Sequence, residues 1–322
     1  MRSSRNSQTR ASTLLLFTNK KITMGFFRRY KGRGSYDLLS NYNHFMPGFG
    51  GLALIVALMA IGSVLGSLLL SVFIAGGFEK GAITYGMLIA YPLIFIPAML
   101  YASGKSRRNE VFEDGYKIDN DNFGSHKWYT MVFAVIAMTV AAAFIVEPVS
   151  LLLPEMSAEY EAKFAAMLGG PAWVTFISVS IFAPFFEEWL CRGIVLRGML
   201  KKVKPAWAIV ISAIFFALIH MNLWQAVPAF LLGLLFGYVY YKTGSLKLTM
   251  LMHFTNNTMA FALSLIPSLK DAEHYTDVLS PWAYGGVYLA AVVIVVFGVI
   301  LMKGIPQKEG YLGGCKLIKS IF

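Results

Sequence analysis

The sequence predicts an all-α, polytopic membrane protein with about eight transmembrane helices and both termini in the cytosol. Three observations carry this. Only 14% of the 322 residues are charged and the mean hydropathy is +0.61, which excludes a soluble globule. Eight apolar segments follow one another, and the longest loop between them, Ser103–Lys127, leaves no room for a soluble domain. With the N-terminus in the cytosol, 19 Lys and Arg fall in inside segments, against only Lys80, Lys163 and Lys270 outside. That is the positive-inside pattern, and an odd number of spans would break it.

Residues 1–50 read as a cytosolic N-terminal tail and an interfacial segment. The first 23 residues are basic with no acidic residue. They are either a disordered tail or sequence ahead of a true start at Met24. Tyr36–Gly50 mixes aromatic and polar residues in the manner of a segment lying along the interface. The membrane domain is 51–302. Its spans are Leu52–Ala75, Ala82–Tyr101, Trp128–Val146, Ala172–Leu200, Ala206–Met221, Val227–Tyr241, Leu248–Ile266 and Tyr284–Met302. The fourth is longer than a bilayer requires, and the fifth and sixth are near the lower limit for spanning. Pro92, Pro97 and Pro184 mark kinks. Gly62-x-x-x-Gly66 and Gly233-x-x-x-Gly237 allow close helix contacts of the ordinary packing kind. Glu155–Gly170 suits a short amphipathic helix outside. Residues 303–322 form a basic cytosolic tail.

The net charge of +11 sits in short loops, where topology and anionic lipid explain it and nucleic acid does not. Cys191 lies in an apolar span and Cys315 in the tail, so no disulfide is expected. No internal repeat supports an inverted-repeat transporter. The compact loops point to a bacterial inner (plasma) membrane.

Function is concentrated in three spans. The first, second, third and eighth hold no ionisable residue in their middle, with Glu147 at the very end of the third. Glu187, Glu188 and Arg192 lie in the fourth, His220 in the fifth and His253 in the seventh. Ionisable groups at such depth are costly and usually functional. Glu188 and Arg192 are four apart and can pair on one helix face. Glu187 is rotated by about 100° from Glu188 and is left for chemistry. Phe216 shares a face with His220, and His253 with Asn257, while Asn256 points away. Cys191 reads as packing.

This set suits amide hydrolysis. Glu187 would take a proton from water, with His220 holding that water. His253 and Asn257 would donate hydrogen bonds to the oxyanion. Glu187, His220 and His253 would equally serve as three zinc ligands with an open fourth position, although no His-Glu-x-x-His motif signals it. No other cofactor is indicated. Buried Glu and His also suit a proton relay or ion-coupled transporter. A non-catalytic membrane partner is the third reading.

Glu187-Glu188-Trp-Leu-Cys-Arg192, Phe216-Ala-Leu-Ile-His220 and His253-Phe-Thr-Asn-Asn257 together resemble the CAAX protease and bacteriocin-processing family, also called Abi. That family includes the type II CAAX prenyl endopeptidases. The resemblance covers about 172–265. It implies an intramembrane endopeptidase with a catalytic cavity open to membrane and cytosol, acting on a membrane-associated peptide or protein, CAAX-like and prenylated in some members. The family's water activator falls on Glu187, its supporting pair on Glu188 and Arg192, and its remaining motif residues on His220, His253 and Asn257. Members are labelled metalloproteases, and a metal-free glutamate mechanism is also proposed for them. Others serve in bacteriocin immunity or as scaffolds.

Meeting in space sets a condition. Counted along the spans, His220 falls near the outer end of its helix and His253 near the inner end of its own, with Glu187 between. Short fifth and sixth helices, or strong tilts, are needed to bring them together.

Overall fold

A computed structural model describes residues 42–109, 116–159, 161–162, 170–266 and 274–306. The two tails, with Met24 and Cys315, lie outside the described residues, as does most of the expected 155–170 helix. Every predicted span coincides with a helix. These are α1 (Phe49–Ala75), α2 (Glu79–Asn109), α3 (Trp128–Ser150), α4 (Ala172–Leu200), α5 (Pro205–Leu218), α6 (Leu223–Thr243), α7 (Leu246–Ser264) and α8 (Pro281–Lys303). The protein is thus an all-α polytopic membrane protein. Its only described strands are β1 (Tyr42–Asn43) and β2 (Tyr116–Lys117), which form one antiparallel bridge.

Six helices, all but α5 and α7, are long and apolar enough to cross a membrane. At 14 residues, α5 is about 21 Å long, short of a hydrocarbon core of about 30 Å. Helix α7 has 19 residues but carries Thr249, His253, Asn256 and Asn257. The sixth span is a correction. It was expected to be short, yet α6 has 21 residues, because Asn222 starts it four residues earlier. The Asn222 side chain accepts from the Gln225 backbone N–H at 2.8 Å, a standard N-cap.

Helix α4 is the most buried span. Its C-terminal half, Trp189–Leu200, is buried throughout and packs against α1, α2, α5 and α6. A second core joins α3, α6, α7 and α8. Two π-helical stretches, Ile177–Phe182 and Trp189–Leu196, flank the α-helical turn that carries Glu187 and Glu188. Such stretches are rare and frequent at functional sites.

The small residues do what their spacing predicts. Gly62 abuts the Leu93 and Ile94 carbonyls of α2, and Gly66 lies against Ala90. Pro97 lacks the N–H that would bind the Leu93 carbonyl, so that oxygen is free to face Gly62. On α6, Gly233 and Gly237 admit Phe216, Ala213 and Ile209 of α5.

Residues 118–124 form a strap that sets the start of α7. The Asn120 and Asn122 N–H groups donate to the Gly244 and Thr243 carbonyls at 2.9 and 2.8 Å, and the Tyr240 hydroxyl donates to the Ile118 carbonyl at 2.6 Å. The Asp119 carboxylate accepts from the Leu246 N–H at 2.8 Å and pairs with Lys247 at 2.6 Å. An acidic group at a helix N-terminus satisfies free N–H groups and suits the helix dipole. The strap thereby fixes where His253, two turns along, projects.

Candidate active site

The site is built on α4. The chain reverses at 201–204 and returns as α5, so the two helices form an antiparallel pair. Glu187 lies 13 residues before the end of α4, and His220 lies 15 residues after the start of α5. The hairpin brings them to one level. The hairpin thus settles the level of His220: α5 stops at Leu218, and His220 sits in the turn just beyond it.

That turn is held tightly. Met221 adopts φ +53°, a left-handed conformation uncommon for a residue with a side chain. The Asn222 amide donates to the His220 carbonyl at 2.8 Å while its oxygen caps α6. The His220 Nδ1 lies 2.8 Å from the Phe216 carbonyl. A carbonyl only accepts, so Nδ1 carries the proton, which in the neutral ring leaves Nε2 bare.

The bare Nε2 faces Glu187. Its distance to Glu187 Oε2 is 4.0 Å, too long for a direct hydrogen bond. The other carboxylate oxygen, Oε1, accepts from the Tyr91 hydroxyl on α2. Oε2 itself is buried with no hydrogen-bond partner among the described residues. Two acceptor atoms thus face each other across a gap, each held from behind.

Glu188 points the other way, as the rotation between neighbours requires. Its Oε1 accepts from Arg192 Nη1 at 2.7 Å and from His253 Nδ1 at 3.1 Å. Glu188 and Arg192 are fully buried. Arg192 also donates to the Gly233 carbonyl at 3.1 Å. Its guanidinium lies 4.5 Å from the Phe216 ring centre and 5.5 Å from that of Phe236, within cation–π range. The Phe216 ring also packs edge-on against both histidines, at 5.2 and 5.4 Å. It separates the Glu187–His220 pair from the Glu188–Arg192–His253 cluster.

Asn257 is tied to α4 because of the π-helical winding that runs up to Pro184. In a π-helical register the Val179 carbonyl would be bound by the N–H of residue 184, which is proline and has none. The Asn257 amide donates to that carbonyl at 2.9 Å instead. A carboxamide has two N–H groups, so one remains. The Asn256 amide donates to the neighbouring Asn257 Oδ1 at 3.1 Å, which polarises the Asn257 amide. Cys191 is fully buried among core residues, the packing role expected of it.

Glu187 with His220, and Glu188 with Arg192 and His253, are brought together; Asn257 is bonded to α4 at Val179, ahead of the two glutamates. Tyr91 and Asn222 are additions. By sequence the second span holds no ionisable group, but a phenol at mid-span, directly before Pro92, is a usable signal. Asn222 carries the usual signature of an N-cap before an apolar run. The zinc expectation meets a geometric fact. Among the described residues, no three His, Cys, Asp or Glu side chains are grouped so as to hold a metal ion. His253 is turned to Glu188, not to Glu187.

The fold and site define a polytopic membrane protein with a buried acid–imidazole–amide centre on its most enclosed helix. Residues 169–259, which carry all three motifs, match the family model described as Type II CAAX prenyl endopeptidase Rce1-like. The match supports the CAAX protease family, as the motifs imply, and with it peptidase activity in general. No curated protein and no solved structure matches the chain.

Proposed function

We propose that this protein is an intramembrane endopeptidase that cleaves a membrane-associated substrate with water activated by Glu187. The observation that carries the reading is the 4.0 Å gap between Glu187 Oε2 and the bare His220 Nε2. Two acceptors cannot bond each other, but one water can donate a hydrogen to each. Its lone pair is then aimed away from both, toward a substrate carbonyl. As the water oxygen bonds the carbonyl carbon, its proton passes to Glu187, which afterwards delivers it to the leaving amine.

The oxyanion falls to His253 and Asn257. His253 Nδ1 is engaged with Glu188, so donation from Nε2 requires the doubly protonated ring. The Glu188 carboxylate supplies the counter-charge for it. The second Asn257 N–H is the other donor.

The family's description makes a prenylated, CAAX-like C-terminus the first substrate to try. The basic-residue bias supports eight spans with both ends in the cytosol, and a bacterial inner membrane is the proposed location. The test is purified protein in nanodiscs with quenched-fluorescent peptides, farnesylated and unmodified, with and without chelator. Cleavage of an internal bond in the farnesylated peptide is expected. Failure to cut any anchored peptide contradicts the reading.

A further inference from the structure

We propose that Tyr91 is the positioning residue that orients the Glu187 carboxylate; the proposal rests on the peptidase reading. The two oxygens of a glutamate are chemically equivalent, and the torsion that exchanges them is soft and two-fold. A base that must present one oxygen to a water needs that equivalence broken. The Tyr91 hydroxyl breaks it. It donates to Oε1 and leaves Oε2 as the buried oxygen without a hydrogen-bond partner, facing His220. A phenol suits this because it donates without losing its proton near neutral pH.

The donor is itself braced. The Tyr91 ring packs on Phe95 at 5.5 Å, and Phe95 stacks on Phe186 at 5.5 Å. Phe186 immediately precedes Glu187 on α4, so ring and carboxylate are referenced to the same turn. Pro92, the next residue along α2, has no N–H to bond back to Leu88. Glu187 thus has one oxygen held by α2 and the other turned toward the end of α5.

The experiment compares wild type, Tyr91→Phe and Glu187→Gln, full chain in nanodiscs, on the farnesylated quenched-fluorescent peptide. Tyr91→Phe keeps the ring and removes only the hydroxyl. A misplaced reacting group costs about 10²-fold in rate, so kcat should fall by that order while KM stays within about two-fold, because the phenol does not touch substrate. Unchanged kcat in Tyr91→Phe, or kcat and KM moving together, overturns the proposal. Cleavage that survives Glu187→Gln overturns the peptidase mechanism instead. A second arm needs no substrate. Thermal unfolding of wild type, Tyr91→Phe, Glu187→Ala and the double variant should give non-additive shifts, since the second substitution removes a bond already gone. Additive shifts overturn the proposal.

Discussion

Replacing Arg192 by methionine asks what the buried charges do for one another. Arg192 and Glu188 are both wholly removed from solvent, at 2.7 Å. Methionine fills most of the space and keeps contact with Phe216 and Phe236, but removes the cation. Glu188 is then left with His253 alone, its second oxygen already without a hydrogen-bond partner, and the Gly233 carbonyl loses its donor. Breaking a buried pair from one side costs about 3–5 kcal/mol, whereas removing both charges is often near neutral. Arg192→Met should therefore destabilise the protein by about that amount in equilibrium unfolding from mixed detergent–SDS micelles. Adding Glu188→Gln should recover most of the loss, since glutamine still accepts from His253 without charge. The double variant should remain inactive, because His253 has lost its counter-charge. The reasoning is refuted if Arg192→Met costs under about 1 kcal/mol, the value of an exposed pair, or if the double variant is no more stable than the single one.

Three further outcomes are expected. Asn257→Ala leaves the Val179 carbonyl unsatisfied and should cost about 1–3 kcal/mol; adding Pro184→Ala, which restores an N–H for that carbonyl, should recover stability but not cleavage. Met221→Gly relieves a left-handed residue that is 82% exposed, and should raise the unfolding free energy by about 1 kcal/mol with cleavage retained. In the turn before α8, burial and then the Glu147 carboxylate hold the Tyr275 phenol above its ordinary value. A raised folded pKa favours the protonated form, so this contribution is full below pH about 10 and is lost as pH rises through the raised value. Tyr275→Phe should remove that alkaline loss, read as hydrogen exchange in the 274–279 turn.

Much of the fold is legible in the sequence because a bilayer permits so little. Backbone groups without water must bond within helices, so each apolar run becomes one. The Glu188–Arg192 pair follows from spacing four on a helix, and the Glu187 split from the rotation between neighbours. Less local facts are not legible. No pattern announces the π-helical stretches beside Pro184, so neither the freed Val179 carbonyl nor its capture by Asn257 could be foreseen. The level of His220 depends on where α5 stops, which a left-handed Met221 and the Asn222 cap determine. The mid-span phenol of Tyr91 is a signal, but its partner lies 96 positions away and spacing does not name it.

One measurement bears most directly on the role of Glu187. Purified Glu187→Gln protein, shown by its unfolding transition to be folded, is incubated with the farnesylated peptide under single-turnover conditions beside wild type. An amide cannot take the water's proton, so no cleavage should be detected while peptide binding is kept. Cleavage at the wild-type rate would mean that the water between Glu187 and His220 is not the nucleophile.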